Sequence, residues 1–190
     1  ARKPRDVRLV VDPSNHVRKI RGDRDFGPDP LKPEVELAVR WLDWVVKGID
    51  TGLSEEPPVR VFAMGVNEWW DEEDWPPPRT KKTHLYLSNA DGRGALQAYA
   101  PGAESPVTYN YDPMDPVPSL GGNHSADQKA EFVEIVRSGS VDQRPNEDRG
   151  DVLVFTTMAF IEDTEVSGPV TLHLWAASSA KDTDFIGRLI

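Results

Sequence analysis

Apolar residues along this chain fall into short runs, and two of the clearest lie near its C-terminal end. Residues 152–160 and residues 170–176 are separated by polar residues and a Ser-Gly-Pro turn signal. In the second run, apolar side chains recur at every other position, which places one set on each face of a pleated strand. The first run is rich in Thr, Val and Phe, which suit a half-buried sheet surface. Both runs therefore predict β-strands.

Further strand patterns occur upstream of these two runs. Residues 7–11 and 59–64 carry the clearest patterns, and residues 85–87, 96–99 and 107–111 carry shorter or weaker ones. The chain contains 17 prolines and 14 glycines, more than average usage. These residues indicate frequent turns, as an all-β domain requires.

Two stretches between the predicted strands have no clear period. Residues 67–78 are rich in acidic residues and proline, so the sequence predicts an irregular loop there. Residues 130–136 fit either a strand or a helical turn, and both alternatives stay open.

One amphipathic helix is predicted over residues 33–47. Pro33 suits the first helical position, and Gly48 provides a stop at the C-terminal end. Four apolar residues fall on one face and predict a packing surface: Ala38, Trp41, Leu42 and Val45. Residues 49–58 are then rich in Gly, Ser, Glu and Pro, which indicates a linker and a domain boundary.

Charge and composition exclude several classes of function. The chain contains 32 acidic and 22 basic residues, a net charge of −10. This balance argues against a nucleic-acid surface, because phosphate binding needs clustered Lys and Arg. No run of about 18 apolar residues occurs, so no membrane-spanning segment is expected. A signal-peptide pattern is also absent; the compartment stays open, with the cytoplasm favoured.

His16 is the first candidate for chemistry. It follows the strand predicted at residues 7–11, on a turn that Asp, Pro, Ser and Asn favour at residues 12–15. A histidine after a strand and before a helix occupies a position where α/β sheets place reactive groups. The alternative is a solvated or capping residue, and the local pattern leaves both interpretations open.

The remaining histidines and two aspartates have weaker claims. His84, His124 and His173 are too scattered for metal-ligand spacing, and cysteine is absent, so no metal site is expected. Asp182 and Asp184 are interpreted as hydrogen-bonded turn residues rather than catalytic acids.

An acidic run and three tryptophans form the last group of candidates. The run at residues 71–74 could attract a cation, but such runs are typical of solvated loops. Trp69, Trp70 and Trp75 could line a substrate pocket, but packing against the sheet is the favoured interpretation.

Several segments occur in the order found in one family of serine hydrolases. Residues 9–16, LVVDPSNH, resemble the segment that carries this family's catalytic histidine. Matching segments follow along most of the chain: Asp25-Phe26-Gly27, Arg40-Trp41-Leu42-Asp43, Asn67-Glu68-Trp69, Asp115-Pro116-Val117-Pro118-Ser119, Asp142-Gln143-Arg144-Pro145 and Asp182-Thr183-Asp184-Phe185. On these segments the chain resembles the C-terminal half of the family of cocaine esterase, α-amino-acid ester hydrolases and X-prolyl dipeptidyl-peptidases. One difference precedes the histidine, where the family usually has Gly-Pro-Trp and this chain has Asp12-Pro13-Ser14.

The resemblance implies a fold of two parts, both incomplete. Residues 1–56 would be the C-terminal end of an α/β-hydrolase domain, with its last strand, the histidine loop and a helix. Residues 57–190 would be an all-β jelly-roll sandwich.

The resemblance also implies a serine-type acyl hydrolase that cleaves ester or amide bonds, including X-Pro dipeptide-like bonds, through an acyl-enzyme. His16 would be the general base. In this fold the triad residues occur in the order Ser, Asp, His, so the Ser and Asp are expected upstream of residue 1. The 190 residues contain no G-x-S-x-G motif, in agreement with this order. This chain alone is therefore expected to be inactive.

The substrate and the residues that bind it are not assigned by the sequence. An aryl or amino-acid ester, a β-lactam side chain and an N-terminal dipeptide all stay open, and no cofactor is expected. The family often forms homodimers, so a homodimer is one state that the resemblance implies. The alternative function is a non-catalytic β-sandwich that binds a ligand, because jelly rolls also serve as lectin-like domains. The altered turn before His16 adds a third alternative, an inactive family member.

Overall fold

A computed structural model of the chain describes residues 7–90, 92, 94–102, 106–124 and 138–190. Its regular elements are short and mostly strands. In chain order they are β1 (Leu9–Val11), α1 (Glu34–Val45), a 3₁₀ turn (Leu53–Glu55), β2 (Val59–Ala63), β3 (Glu68–Glu72), β4 (Tyr86–Ser88), β5 (Ala95–Gln97) and α2 (Arg144–Glu147).

Strands β1, β2 and β3 form one three-stranded sheet with β2 in the centre. β1 runs parallel to β2, with Leu9 opposite Val59, and α1 lies in the connection between them. β2 and β3 are antiparallel and form a hairpin. Strands β1 and β2, which pair in this sheet, lie on opposite sides of the linker predicted at residues 49–58. The domain boundary at this linker stays a prediction.

Strand β3 corrects the expectation of an irregular loop over residues 67–78. Arg60 on β2 lies directly opposite Asp71 on β3, and its Nε and Nη2 atoms donate to the two carboxylate oxygens at 2.5 and 3.0 Å. The hydrogen bond to Asp71 raises the pKa of Arg60. The acidic residue therefore supports pairing, because a cross-strand partner of opposite charge stabilises the hairpin.

Helix α1 confirms the predicted helix, but its contacts differ from the predicted face. Ala38 and Leu42 are exposed, so the predicted packing surface is wrong at these two positions. Instead, Arg40 reaches from α1 to the carbonyl oxygen of Thr51, and its Nη2 atom lies 2.6 Å from Glu56 Oε1. These contacts attach the helix to the segment that leads into β2.

A small aromatic cluster forms the core beside the central strand. Phe62 is 6% exposed, and its ring meets Phe26 and Trp69 edge to face, with centroids 6.1 and 5.4 Å apart. The indole Nε1 of Trp69 donates to the carbonyl oxygen of Asp29 at 2.8 Å, and Lys32 lies over the same ring. The cluster therefore fixes the segment between His16 and α1 against the hairpin.

The C-terminal runs that predicted the clearest strands, residues 152–160 and 170–176, form no regular strand. Only Thr156 pairs, exchanging backbone hydrogen bonds with Gly94 and Leu96 beside β5, at 3.1 and 3.0 Å. A strand needs a neighbour that pairs with its backbone along its length. The described residues supply such a neighbour at Thr156 alone, so the strand prediction is wrong for both runs in this structure.

The weaker strand patterns had mixed outcomes. β4 and β5 pair as an antiparallel hairpin close to the predicted positions 85–87 and 96–99. Residues 107–111 belong to no strand, and residues 130–136 lie outside the described part of the chain.

Much apolar surface is left uncovered by the chain's own contacts. Trp175 is fully exposed, Val35 on α1 is 77% exposed, and Val46, which follows the last residue of α1, is 71% exposed. Exposed apolar side chains that lie together are typical of surfaces that pack against further protein.

Arg79 links the hairpin to the C-terminal segment. Its guanidinium hydrogen-bonds Glu72, lies 5.2 Å from the ring centroid of Trp70, and reaches both carboxylate oxygens of Glu165 at 2.9 Å. Burial raises the pKa of Glu165, but hydrogen bonds from Ser167 and Arg79 outweigh it, and the net pKa lies below the ordinary value. The contact therefore favours the ionised carboxylate.

We expect Glu165→Gln to lower the melting temperature slightly at pH 7, and this difference from the wild type to disappear on acidification. A carboxylate with a depressed pKa stabilises the folded state above its unfolded pKa, about 4.3. That contribution is lost as the pH falls through the lower folded-state pKa. The effect is small because the pair is partly exposed. Thermal melts between pH 7 and 3 measure it, and Glu162→Gln, at an exposed position, is the control. A difference that stays the same from pH 7 to pH 3 would contradict the ion pair as its cause.

Candidate active site

His16 lies at the tip of a tight turn that Asn15 closes. The backbone N–H of Asn15 donates to the carbonyl oxygen of Lys19 at 3.0 Å, and that of Arg18 donates to Asn15 at 2.9 Å. The side-chain oxygen of Asn15 accepts from the N–H groups of Val17 and Lys19, at 3.2 and 2.9 Å. Asn15 is buried and His16 is exposed, so the turn buries its amide and presents its imidazole outward.

A carboxylate braces the same turn from the strand side. Asp12 Oδ1 accepts from the backbone N–H and the hydroxyl of Ser14, at 3.1 and 2.5 Å. Its other oxygen lies 2.9 Å from Arg18 Nη2, and its side chain is 5% exposed. Asp12 and Ser14, at positions where the resembled family usually has Gly and Trp, therefore build a turn of their own.

Arg18 connects this turn to the start of α1. Its backbone has a positive φ of 54°, and its side chain donates to the carbonyl oxygen of Lys32 at 2.9 Å. Its Nε atom also lies 2.9 Å from Glu34 Oε2. Because one guanidinium contacts Asp12, Lys32 and Glu34, the turn, the loop and the helix end are fixed relative to one another.

The arrangement leaves the imidazole of His16 available to a group brought from elsewhere. Within residues 7–90, 92, 94–102, 106–124 and 138–190, the imidazole makes no hydrogen bond. A general base works when it lies about 2.6–3.2 Å from the proton donor it serves. The built turn and the exposed ring together suit an imidazole that accepts a proton from an incoming hydroxyl.

Among the described residues, none of the other sequence candidates hydrogen-bonds to this turn. The part of the chain that the structure describes contains no cluster of three or more His, Asp or Glu residues that could hold a metal ion. His84, His173, Asp182 and Asp184 are exposed. Among the described residues, no helix combines the length and the apolar composition needed to cross a bilayer.

The tryptophans and the acidic run have structural contacts. Trp69 packs on Phe62, in agreement with the favoured packing role. The sequence favoured a solvated loop for the acidic run. Instead, its first two residues form ion pairs: Asp71 with Arg60 and Glu72 with Arg79.

The sequence did not predict the supporting contacts of three residues: Asn15, Arg18 and Ser138. Asn15 was recognised as a turn former, but its burial was not visible in the pattern. Arg18 is one basic residue among several in a polar loop, and Ser138 lies 123 positions from the residue it contacts. Only the tertiary fold reveals these contacts.

Comparison with known proteins shows that most of this chain matches one family model and that its sequence is similar to two proteins named as esterases. The family described as "X-Pro dipeptidyl-peptidase C-terminal non-catalytic domain" matches residues 51–190. The chain is 39% identical, over an alignment 199 positions long, to "Cocaine esterase" from Rhodococcus sp. (strain MB1 Bresler), and the alignment covers 97% of this chain and 33% of that protein.

A second relative gives a similar alignment. The chain is 30% identical over 179 residues to "Putative serine esterase Mb1866c" from Mycobacterium bovis, covering 93% of this chain and 27% of that protein. The chain therefore spans about a third or less of the length of these curated relatives.

Proposed function

This chain belongs to the family of X-Pro dipeptidyl-peptidase C-terminal non-catalytic domains, and on that basis we propose that it is the C-terminal part of a serine-type acyl hydrolase. The full-length protein would cleave an ester or an amide through an acyl-enzyme. Residues 57–190 would form the jelly-roll domain of that enzyme, and residues 1–56 would complete its α/β-hydrolase domain.

One observation carries the proposal: the alignment with an esterase extends beyond the domain described as non-catalytic and includes the His16 turn. The family model begins at residue 51, whereas the esterase alignment covers 97% of the chain. Because only about 3% of the chain lies outside the alignment, the aligned part must include His16. An exposed imidazole on a braced turn is the kind of group that such an enzyme uses as its base.

His16 has two tasks in the proposed mechanism. It takes the proton of the serine hydroxyl as the oxygen attacks the carbonyl carbon, and the resulting imidazolium gives that proton to the leaving alcohol or amine. It then activates the water that releases the acid from the acyl-enzyme. The serine and the aspartate would come from the part of the full-length protein that this chain does not cover.

We expect the full-length protein to be labelled covalently by a fluorophosphonate, and a polypeptide of residues 1–190 to remain unlabelled. The serine oxygen would displace fluoride from phosphorus, a reaction that needs both the nucleophile and the base. Intact mass spectrometry measures one added phosphonyl group per chain. Hydrolysis assays with aryl esters, amino-acid esters, a β-lactam with an acylated side chain and an X-Pro anilide would then identify the substrate class. A full-length protein that neither reacts with the probe nor hydrolyses any of these compounds would overturn the proposal.

A ligand-binding module is the second candidate, because the description of the matched family contains the word "non-catalytic". It needs no imidazole at position 16. Specific binding of the full-length protein on a glycan array, without any hydrolase activity, would favour this candidate.

A further inference from the structure

The turn that carries His16 rests on a segment more than a hundred residues away in the chain. The side-chain amide nitrogen of Asn15 donates to the hydroxyl of Ser138 at 3.0 Å. Asn15 is 5% exposed and Ser138 is 3% exposed, so water cannot readily replace either partner. Asn15 lies outside the matched domain, and Ser138 lies within it.

Backbone contacts support the same junction. The N–H of Asp23 donates to the carbonyl oxygen of Ser140 at 2.6 Å, and the N–H of Asp142 donates to Asp23 Oδ2 at 3.1 Å. On the other side, Gly139 and Gly122 exchange two hydrogen bonds, at 2.9 and 2.8 Å. Residues 138–142, which we call the support segment, therefore lie between the loop after His16 and Gly122.

Glycine permits the close approach of these backbones. Gly22 and Gly139 have φ angles of 96° and 87°, in the region that side chains rarely adopt. A Cβ atom on Gly139 would overlap the carbonyl group of Arg21, and a Cβ on Gly22 would overlap the backbone of Ser140. The loop and the support segment are thus in direct backbone contact.

We propose that Ser138 is a positioning residue for His16, so that the C-terminal domain described as non-catalytic determines where the catalytic base lies. The inference rests on the proposed function, because it assigns a role to the support of the same imidazole. The amide of Asn15 joins the two sites: its nitrogen binds Ser138, and its oxygen holds the N–H groups of Val17 and Lys19. The residues on both sides of His16 are therefore fixed through one planar group.

Loss of the Ser138 hydroxyl would disturb the side-chain amide of Asn15, because the amide nitrogen would lose its acceptor. A buried amide nitrogen without an acceptor is unfavourable, and the amide would turn or shift to find one. Its oxygen would then no longer hold the turn in the same place. A displacement of about 1 Å between reacting groups can lower a rate by about 10²-fold.

The test uses the full-length protein with three substitutions. Ser138→Ala removes the acceptor, Ser138→Thr keeps a hydroxyl, and Ser119→Ala removes an exposed serine of the same domain as the control. We expect Ser138→Ala to lower kcat by about 10-fold to 100-fold with little change in KM. Ser138→Thr should restore most of the lost rate, and Ser119→Ala should match the wild type.

Fluorophosphonate kinetics separate positioning from folding. The number of labelled sites reports the folded fraction, and the rate constant per site reports how well the base serves the nucleophile. Positioning predicts a lower rate constant in Ser138→Ala with an unchanged number of sites. Fewer sites, each with the wild-type rate constant, would show a purely structural role and overturn the inference.

His16→Ala makes failure of this inference distinguishable from failure of the proposed function. Full activity in His16→Ala would overturn both. An inactive His16→Ala together with a wild-type rate constant per site in Ser138→Ala would leave the proposed function standing and overturn the positioning role alone.

Discussion

Replacing His16 with alanine in the full-length protein should lower kcat/KM for its ester or amide substrate by about 10³-fold or more. Without the imidazole, the serine hydroxyl would have to lose its proton to water, and the leaving group would receive no proton from the enzyme. Both acylation and deacylation would slow. Initial rates with saturating and subsaturating substrate measure the loss.

Stability should be almost unchanged in this variant, which makes the result interpretable. His16 is exposed, and the hydrogen bonds that close its turn come from Asn15 rather than from the imidazole. Exposed substitutions of this kind usually change the free energy of unfolding by within about 0.5 kcal/mol. A loss of turnover at constant melting temperature would therefore reflect lost chemistry.

His84→Ala is the matched control, since His84 is also an exposed histidine but belongs to the segment before β4. It should retain the wild-type kcat/KM. Equal turnover in the wild type and His16→Ala, with both proteins folded, would remove His16 from the mechanism and leave the ligand-binding module as the better account of this chain.

Local pattern was sufficient where a single segment contains its own stabilising contacts. The helix was predicted over residues 33–47 and lies at Glu34–Val45, with Pro33 just before its first residue. Its start was found within one residue because proline at a helix start and acidic residues in the first turn act within a few positions. Strand β2 also appeared close to its predicted limits, since Val59 and Phe62 are buried on the sheet. The turn before His16 followed from Asp12-Pro13-Ser14-Asn15, whose preferences are likewise local.

Pattern failed where the outcome depends on a distant partner. Residues 170–176 alternate well, yet an alternating segment forms a strand only when a neighbour pairs with it. Acidic residues and prolines predicted an irregular loop over residues 67–78, but Arg60 and Arg79 from other segments pair with Asp71 and Glu72 on β3. The contact of Asn15 with Ser138 is of the same kind, and composition at either position does not reveal it.

The predicted family, in contrast, was recoverable because it depends on several short motifs in a fixed order rather than on one contact. The motifs at residues 115–119 and 142–145 lie inside the matched region 51–190, and this match confirms the resemblance for the C-terminal part. The role of His16 stays a prediction because the matched domain is described as non-catalytic and a sequence alignment does not test catalysis.

The largest effect on stability is expected for Phe62→Ala, which should lower the free energy of unfolding by about 3–5 kcal/mol. Phe62 is buried on the central strand, and it contacts the rings of both Phe26 and Trp69. Truncation would remove both edge-to-face contacts and leave a cavity between the hairpin and the loop after His16. Urea denaturation of the full-length protein, followed by tryptophan fluorescence, measures the change because Trp69 adjoins the site.

Met64→Ala is the control for this substitution. Met64 follows the same strand but is 63% exposed, so its loss should change the free energy of unfolding by within about 0.5 kcal/mol. The Phe62 variant should also lose activity, because Trp69 holds Asp29 and Asn67 holds the carbonyl oxygen of Asp25 in the loop that follows the histidine turn. Equal stability of the two variants would show that the aromatic cluster is not the core of this region.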